Sequence, residues 1–242
     1  MTLRLLTWNI RAGGGSRIPA IGAALAEQDA DILVLTEYRD GPAAPALRAE
    51  LERLGYRWMT AHTPPRGRNG VLIAARRKFR EIGPVSAEVE EPWRLLDVVV
   101  GRTRLTGVYM PNLRVKIPYW QALIAALAGR VDGSALAIGD FNTCRPYLDE
   151  AGATDATAGF LDKVQAAGFR DVWRDRNPET REFSWFSHRQ NGFRIDHAFF
   201  SPRLAGRVRG IGYAHGARES GVSDHSMLVP RHSDYDSFKM SG

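Results

Sequence analysis

The apolar run Leu136-Ala137-Ile138-Gly139 ends in Asp140-Phe141-Asn142, and a second dense polar group, Ser223-Asp224-His225-Ser226, precedes the last apolar stretch of the chain. A carboxylate at the end of a buried strand costs stability unless it is paired, hydrogen-bonded or bound to a metal, so Asp140 requires partners from elsewhere. Strand alternation predicts that Asp140 and Asn142 share a face. A contact between Asp196 and His225 would fix the imidazole tautomer and stabilise its charged form, as in a general base or a phosphate-stabilising histidine. Glu37 and Asp140, with Asn9 as a neutral companion, are hard oxygen ligands suited to Mg²⁺ or Mn²⁺. Taken singly, either carboxylate is explained as well by turn capping or an arginine partner. No cysteine or histidine pair has zinc spacing.

Strand-like runs must deliver these groups. Leu5–Asn9, Ile32–Glu37, Val108–Asn112 and Arg194–Asp196 also end in polar residues, so five runs can supply one rim. The pattern predicts a strand over 3–9, a helix through Ile18, Ile21 and Leu25 capped by Ser16, a strand over 32–37 and a helix over 43–54. Short extended segments at 56–62, 71–75, 95–100 and 104–109 read as an antiparallel meander. A helix over 118–130, a loop over 143–159, a short helix over 160–167 and strands at 183–187, 193–201, 208–213 and 227–230 complete the chain. Gly13-Gly14-Gly15 lacks the Lys-Ser/Thr of a phosphate loop and reads as a turn. Mixed strands with helices in both halves predict two packed sheets with helices outside, not a doubly wound parallel sheet. One domain is expected over 1–232, followed by a polar tail over 233–242.

The 33 Lys and Arg against 27 Asp and Glu give +6 and a pI near 9.8, which favours a polyanionic partner. Only Lys78, Lys116, Lys163 and Lys239 are lysines, so an Arg-dominated composition contributes to that balance. A single cysteine, Cys144, excludes an intrachain disulfide framework and fits a reducing compartment. No long hydrophobic segment stands out, and a monomeric, cytoplasmic protein without membrane association is expected.

Taken in order, Thr7-Trp8-Asn9-Ile10, Leu35-Thr36-Glu37, Asn69-Gly70-Val71, Tyr109-Met110-Pro111-Asn112, Gly139-Asp140-Phe141-Asn142, Phe183-Ser184-Trp185, Arg194-Ile195-Asp196 and Ser223-Asp224-His225 form a far more specific series than any member. Across residues 3–230 this series resembles the endonuclease/exonuclease/phosphatase superfamily, above all its exonuclease III and abasic-site endonuclease branch. The resemblance implies an α/β (α+β) four-layer sandwich of two mixed β-sheets flanked by helices, and a Mg²⁺-dependent (or Mn²⁺-dependent) phosphodiesterase acting on DNA. Glu37 would be the principal metal ligand, with Asn9 beside it and Asp224 a second ligand or support. Asp140 would orient or deprotonate the attacking water, Asn142, Tyr109 and Asn112 would hold the phosphate, and His225, oriented by Asp196, would stabilise the pentacoordinate state.

In the abasic-site branch, apolar residues matching Trp185, Phe193 and Ile195 form a pocket for a flipped-out sugar without its base, a site that has little stacking to lose. Aromatics alternating on a strand are also ordinary core. Arg189, in the turn between those strands, and Lys116, four residues past Asn112, are candidates for DNA or phosphate contact, whereas Arg76-Arg77-Lys78 reads as a solvated turn. The segment between Asn142 and Phe183 and the 185–193 hairpin are short beside the duplex-gripping loops of exonuclease III-like enzymes. That leaves less selective nuclease activity on single strands or RNA open. A phosphatase or phospholipase of the same scaffold and a catalytically silent nucleic-acid-binding module are the competing readings.

Overall fold

The computed structural model describes residues 2–62, 64–150 and 155–233; of the tail expected over 233–242, residues 234–242 lie outside the described residues. In chain order the strands are β1 (Thr2–Asn9), β2 (Ile32–Arg39), β3 (Trp58–Thr60), β4 (Asn69–Ala75), β5 (Arg80–Pro84), β6 (Leu95–Val100) and β7 (Thr103–Tyr109). They continue with β8 (Ala135–Asp140), β9 (Arg170–Asp171), β10 (Trp185–Phe186), β11 (Gly192–Phe193), β12 (Asp196–Phe200), β13 (Val208–Ala214) and β14 (Met227–Ser233). The main helices are α1 (Ile18–Gln28), α2 (Ala44–Arg53), α3 (Ile117–Ala128), α4 (Gly159–Ala166) and α5 (Val172–Arg176).

One six-stranded sheet runs β13-β14-β1-β2-β4-β3, the other β5-β6-β7-β8-β12-β9, and β10-β11 form a separate hairpin. Each large sheet contains one parallel pair, β1–β2 and β7–β8, joined by a helical crossover through α1 or α3, as parallel neighbours require. Both faces of the central strands are apolar and buried. In β1, Leu3 and Leu5 enter the core between the sheets, while Leu6 and Trp8 pack beneath α1 and α2. Leu123 and Leu127 of α3 cover the far face of the second sheet with Leu161 and Val164 of α4. The result is the four-layer α-β-β-α sandwich, and the polar residues at the C-terminal ends of the two parallel pairs reach a common rim.

Local expectations fail where tertiary demands intervene. Ser16 lies in a 3-10 turn over Gly15–Arg17, and α1 starts at Ile18 behind Arg17 with no side-chain cap. The expected meander is divided between sheets: β3 and β4 join the first, β5, β6 and β7 the second, and the chain crosses over in the Arg76-Arg77-Lys78 turn. There Arg76 stacks on Tyr56 and pairs with Asp29. The extended run expected over 193–201 breaks at Arg194 and Ile195, because the Ser184 hydroxyl takes the N–H groups of Ile195 and Asp196. The last strand extends to Ser233, one residue into the expected tail. No helix among the described residues is long and apolar enough to cross a membrane.

Candidate active site

Strand register sets the centre of the site. Asp140 ends β8 directly opposite Asp196 at the start of β12, so two carboxylates are buried side by side. Gly139 makes the preceding step possible, since a Cβ there would lie 1.8 Å from the Val108 carbonyl oxygen. His225 Nδ1 lies 2.9 Å from Asp196 Oδ2, and Asp196 Oδ1 is buried without a partner among the described residues. Burial by itself would lower the His225 pKa, but the charge and hydrogen bond of Asp196 outweigh it and carry it up to about 9. Burial pushes Asp140 up to about 7; the His225 charge opposes that rise and the Asp196 charge adds to it. Charge and geometry therefore separate the two groups into a poised base and a standing acid.

Glu37 reaches the same place by breaking strand regularity. It is the extra residue of a β-bulge between β2 and β4, with φ +57°, which takes its side chain out of alternation. Its Oε2 accepts the Ala12 N–H at 2.7 Å, while Oε1 accepts from Asn9 Nδ2 at 3.2 Å and from the Tyr109 hydroxyl at 3.4 Å. Burial, then the charges of Glu37 and Asp140, push the Tyr109 phenol up to about 12, so it remains a donor. Asn69 donates to the Tyr109 hydroxyl at 3.2 Å, and the Arg94 guanidinium lies 4.5 Å from the Tyr109 ring centroid.

Several expected residues arrive in a different way from that expected. Asn142 lies past the end of β8 at φ +47°, so it meets the site through a turn: its N–H donates to Asp140 Oδ1 at 2.9 Å and its Nδ2 to the Met110 carbonyl at 2.8 Å. Asn9, expected as a metal ligand, presents Nδ2 to Glu37 and, at 3.0 Å, to Asp140 Oδ2, while its Oδ1 accepts the Arg11 N–H. Coordination through Oδ1 requires the amide to turn over. Lys116 is buried, and its ammonium donates to the Asn142 carbonyl and faces Asp155 Oδ2 at 3.6 Å; it braces the turn instead of standing free for phosphate. Arg189 is exposed at the hairpin tip and does not line the cleft.

The donor set fits a hard divalent cation. Asp140, Asp196 and His225 bring one ligand atom each within 4.8 Å of one another, but His225 Nδ1 is committed to Asp196. Glu37 and the exposed Asp224, both oxygen ligands lining the same cleft, are free of that commitment. Two buried carboxylates facing one histidine also leave the cluster short of positive charge. Oxygen ligands on an open cleft wall suit Mg²⁺ or Mn²⁺.

A cleft of about 560 Å³ gathers Asn9, Glu37, Tyr109, Asn112, Asp140, Asn142, Asp224 and His225. Trp185, Phe193 and Ile195 form its apolar wall, with the Trp185 ring centroid 5.6 Å from Phe193 and 6.4 Å from His225. Trp185 Nε1 donates to Asp224 Oδ2 at 3.3 Å, linking that wall to the acidic rim. Two serines given no role by the sequence hold the loops. Ser223 Oγ donates to the Asn9 carbonyl at 2.6 Å and accepts the His225 N–H, and Trp8 Nε1 fixes the His225 carbonyl at 2.9 Å. Ser184 seats the start of β12. Their signal was position: each serine stands one or two residues from a chemistry-bearing side chain.

Comparison with known proteins follows this geometry. Residues 6–225 match the profile described as the Endonuclease/Exonuclease/phosphatase family. No curated protein sequence matches. An AP endonuclease from Archaeoglobus fulgidus superposes with a TM-score of 0.83 at 22% identity, over 96% of this chain and 100% of that one. The 3′-5′ exonuclease NExo from Neisseria meningitidis superposes with a TM-score of 0.82 at 23% identity, over 96% and 100%. A 3′ phosphatase NExo from Neisseria, bound to a product DNA hairpin, gives 0.82 at 22% identity with the same coverage.

Proposed function

Because this chain belongs to the Endonuclease/Exonuclease/phosphatase family and is a metal-dependent phosphodiesterase, we propose that it is a Mg²⁺-dependent DNA repair nuclease that incises abasic sites and processes 3′ ends. One observation carries the reading: Asp140, His225 backed by Asp196, Glu37 and the Trp185-Phe193-Ile195 wall meet at a single cleft. An acid, a base, a cation site and an apolar seat for a sugar are the parts that in-line hydrolysis of a DNA phosphodiester needs.

Glu37, with Asp224 and a turned Asn9, would hold the cation, which when bound offsets charge on the phosphate oxygens. Asp140, ionised, takes the proton of the attacking water. Tyr109, Asn142 and Asn112 hold the phosphate by hydrogen bonds, so that water and leaving oxygen lie in line. His225 stays protonated through Asp196 and stabilises the charge that develops on a non-bridging oxygen. The Trp185-Phe193-Ile195 wall accepts a sugar without a base, whose extrusion from the helix costs least. The Archaeoglobus and Neisseria proteins, an AP endonuclease and a 3′-5′ exonuclease by name, support the two activities proposed.

The test is cleavage of a labelled duplex with one abasic-site analogue, beside undamaged duplex, single strand and an inositol phosphate. Incision at the lesion, lost in EDTA and in Asp140→Ala, is expected. Degradation regardless of the lesion would remove the abasic pocket, and phosphate release from the inositol substrate alone would overturn the nuclease reading.

A further inference from the structure

The large apolar side chains most exposed among the described residues are Leu113 at 81%, Tyr147 at 65% and Val115 at 60%, and they lie on two loops that each contribute to the cleft lining, the first through Leu113 and the second through Cys144. Loop 112–116 follows β7 and loop 143–150 follows β8, neighbours in the sheet. Lys116, at the end of the first loop, donates to the carbonyl of Asn142, the residue just before the second, and faces Asp155 beyond it. From the second loop Cys144 lines the cleft, and at its far end Glu150 forms a bridge with Phe193 of the aromatic wall.

Neither exposure is an accident of slack loops. Leu113 and Tyr147 have φ of +57° and +63°, a left-handed conformation that bulky side chains rarely adopt. The buried Glu150 carboxylate holds Tyr147 there by accepting its N–H at 2.8 Å, and Arg181 donates to its carbonyl at 3.3 Å. The strain brings no burial in return, and strain maintained beside a cleft points to a ligand. Arg114, exposed between Leu113 and Val115, adds a charge suited to a backbone phosphate.

We propose that Leu113, Val115 and Tyr147 form a stacking platform for unpaired bases next to the scissile phosphate, directing the enzyme to single-stranded or frayed DNA. The proposal rests on the nuclease reading above. In a duplex the base faces are covered by their neighbours; an unpaired base exposes a flat apolar face, which is what an aromatic and aliphatic rim can cover. A lipid surface would also accept apolar side chains, but the polar, carboxylate-lined cleft beside the rim and the basic balance of the chain favour a nucleic acid.

The experiment measures binding in EDTA of a single strand carrying 2-aminopurine beside the cleavage position and of the fully paired duplex, with wild type, Tyr147→Ser, Leu113→Ser and Tyr147→Phe, after thermal melts confirm folding. For the single strand, the serine variants are expected to bind about 5- to 100-fold more weakly, the range for loss of one stacked base. Tyr147→Phe and the duplex affinities are expected to change by less than about twofold, since the aromatic face is kept and paired bases do not use it. Equal losses on both substrates, or none on either, would overturn the platform while leaving the nuclease reading intact. Binding of anionic vesicles that the serine variants lose would reassign the rim to lipid. A wild-type protein that neither binds nor cleaves any nucleic acid would overturn the nuclease reading itself.

Discussion

Two buried polar clusters lie on either side of β12, and they are built to opposite rules. On one side, Asp140 and Asp196 share a single histidine. On the other, Asp149 and Asp171 are surrounded by guanidinium groups: Arg194 meets Asp149 at 2.7 Å and Asp171 at 2.8 Å, and Arg174 meets Asp149 at 2.5 Å. Both arginines also lie over the Trp173 ring, at 4.9 and 4.8 Å from its centroid. Burial pushes Asp140, Asp149 and Asp171 towards protonation. At Asp149 and Asp171 the Arg194 charge wins and holds them below the usual carboxylate range, whereas at Asp140 burial wins. The same fold therefore carries one ionic cluster that is fully compensated and one left short of positive charge. The compensated one ties the 143–150 loop, β9 and the approach to β12 together; the other is left available for chemistry.

The sharpest way to break this contrast is to neutralise one member of each. Asp140→Asn is expected to cut kcat on the order of 100- to 10,000-fold, the usual contribution of a general base, without lowering the urea unfolding midpoint, because an amide replaces a carboxylate that burial disfavours. Arg194→Met should do the reverse, costing about 3–5 kcal/mol of unfolding free energy by stranding Asp149 and Asp171. An Asp140→Asn enzyme that unfolds early, or an Arg194→Met enzyme of wild-type stability, would show that the two clusters are not divided in this way.

Proton titration should separate them as well. The proposed mechanism uses Asp140 ionised and His225 protonated, so kcat/KM should rise with pH through about 7 and fall through about 9. Stability carries different signs. Asp149 and Asp171 have lowered pKa values, so their contribution is present above the unfolded value near ~3.9 and is lost as pH falls below it. Asp140, with a raised pKa, contributes stability in acid that is lost between ~3.9 and about 7. His225, also raised, contributes below its unfolded value near ~6.5 and loses that contribution by about 9. Urea midpoints against pH should therefore lose their slope between pH ~4 and 7 in Asp140→Asn. A slope equal to that of wild type there would reject the assignment.

The same contrast decides what could be read before the structure. The cleft side was legible because its residues cap apolar strands: Asn9, Glu37, Tyr109 and Asp140 stand where hydrophobic runs stop, and the resemblance supplied their order. The four layers followed from buried strands mixed with amphipathic helices. The compensated side was not legible, since Arg194 and Asp171 lie in short strand-like pieces whose partners, Asp149 and Arg174, come from a loop and a five-residue helix. Ion pairs across such separations leave no periodic trace. Glu37 reached the site through a bulge and Asn142 through a left-handed turn, and neither can be derived from alternation. Lys116 looked like a free cation because its partners, the Asn142 carbonyl and Asp155, are brought to it by tertiary folding from 26 and 39 residues further on.

Ser184 joins the two clusters and offers the smallest test of where one ends. It is fully buried, its hydroxyl accepts the N–H groups of Ile195 at 3.1 Å and Asp196 at 3.2 Å, and its carbonyl accepts the Ser226 N–H at 2.8 Å. It therefore sets both the exit from Arg194 and the approach of the segment just before β14, which carries His225, to Asp196. Ser184→Ala removes the hydroxyl acceptor from two main-chain donors, at a cost of about 1–3 kcal/mol. The Asp196–His225 contact is also fixed by Ser223 and Trp8, so kcat should fall by less than about tenfold, or ~1.4 kcal/mol in the barrier. A stability loss with kcat unchanged would assign Ser184 to the compensated cluster alone. Loss of activity at full stability would extend the active site through Ser184 to the base of the hairpin that carries Trp185 and Phe193.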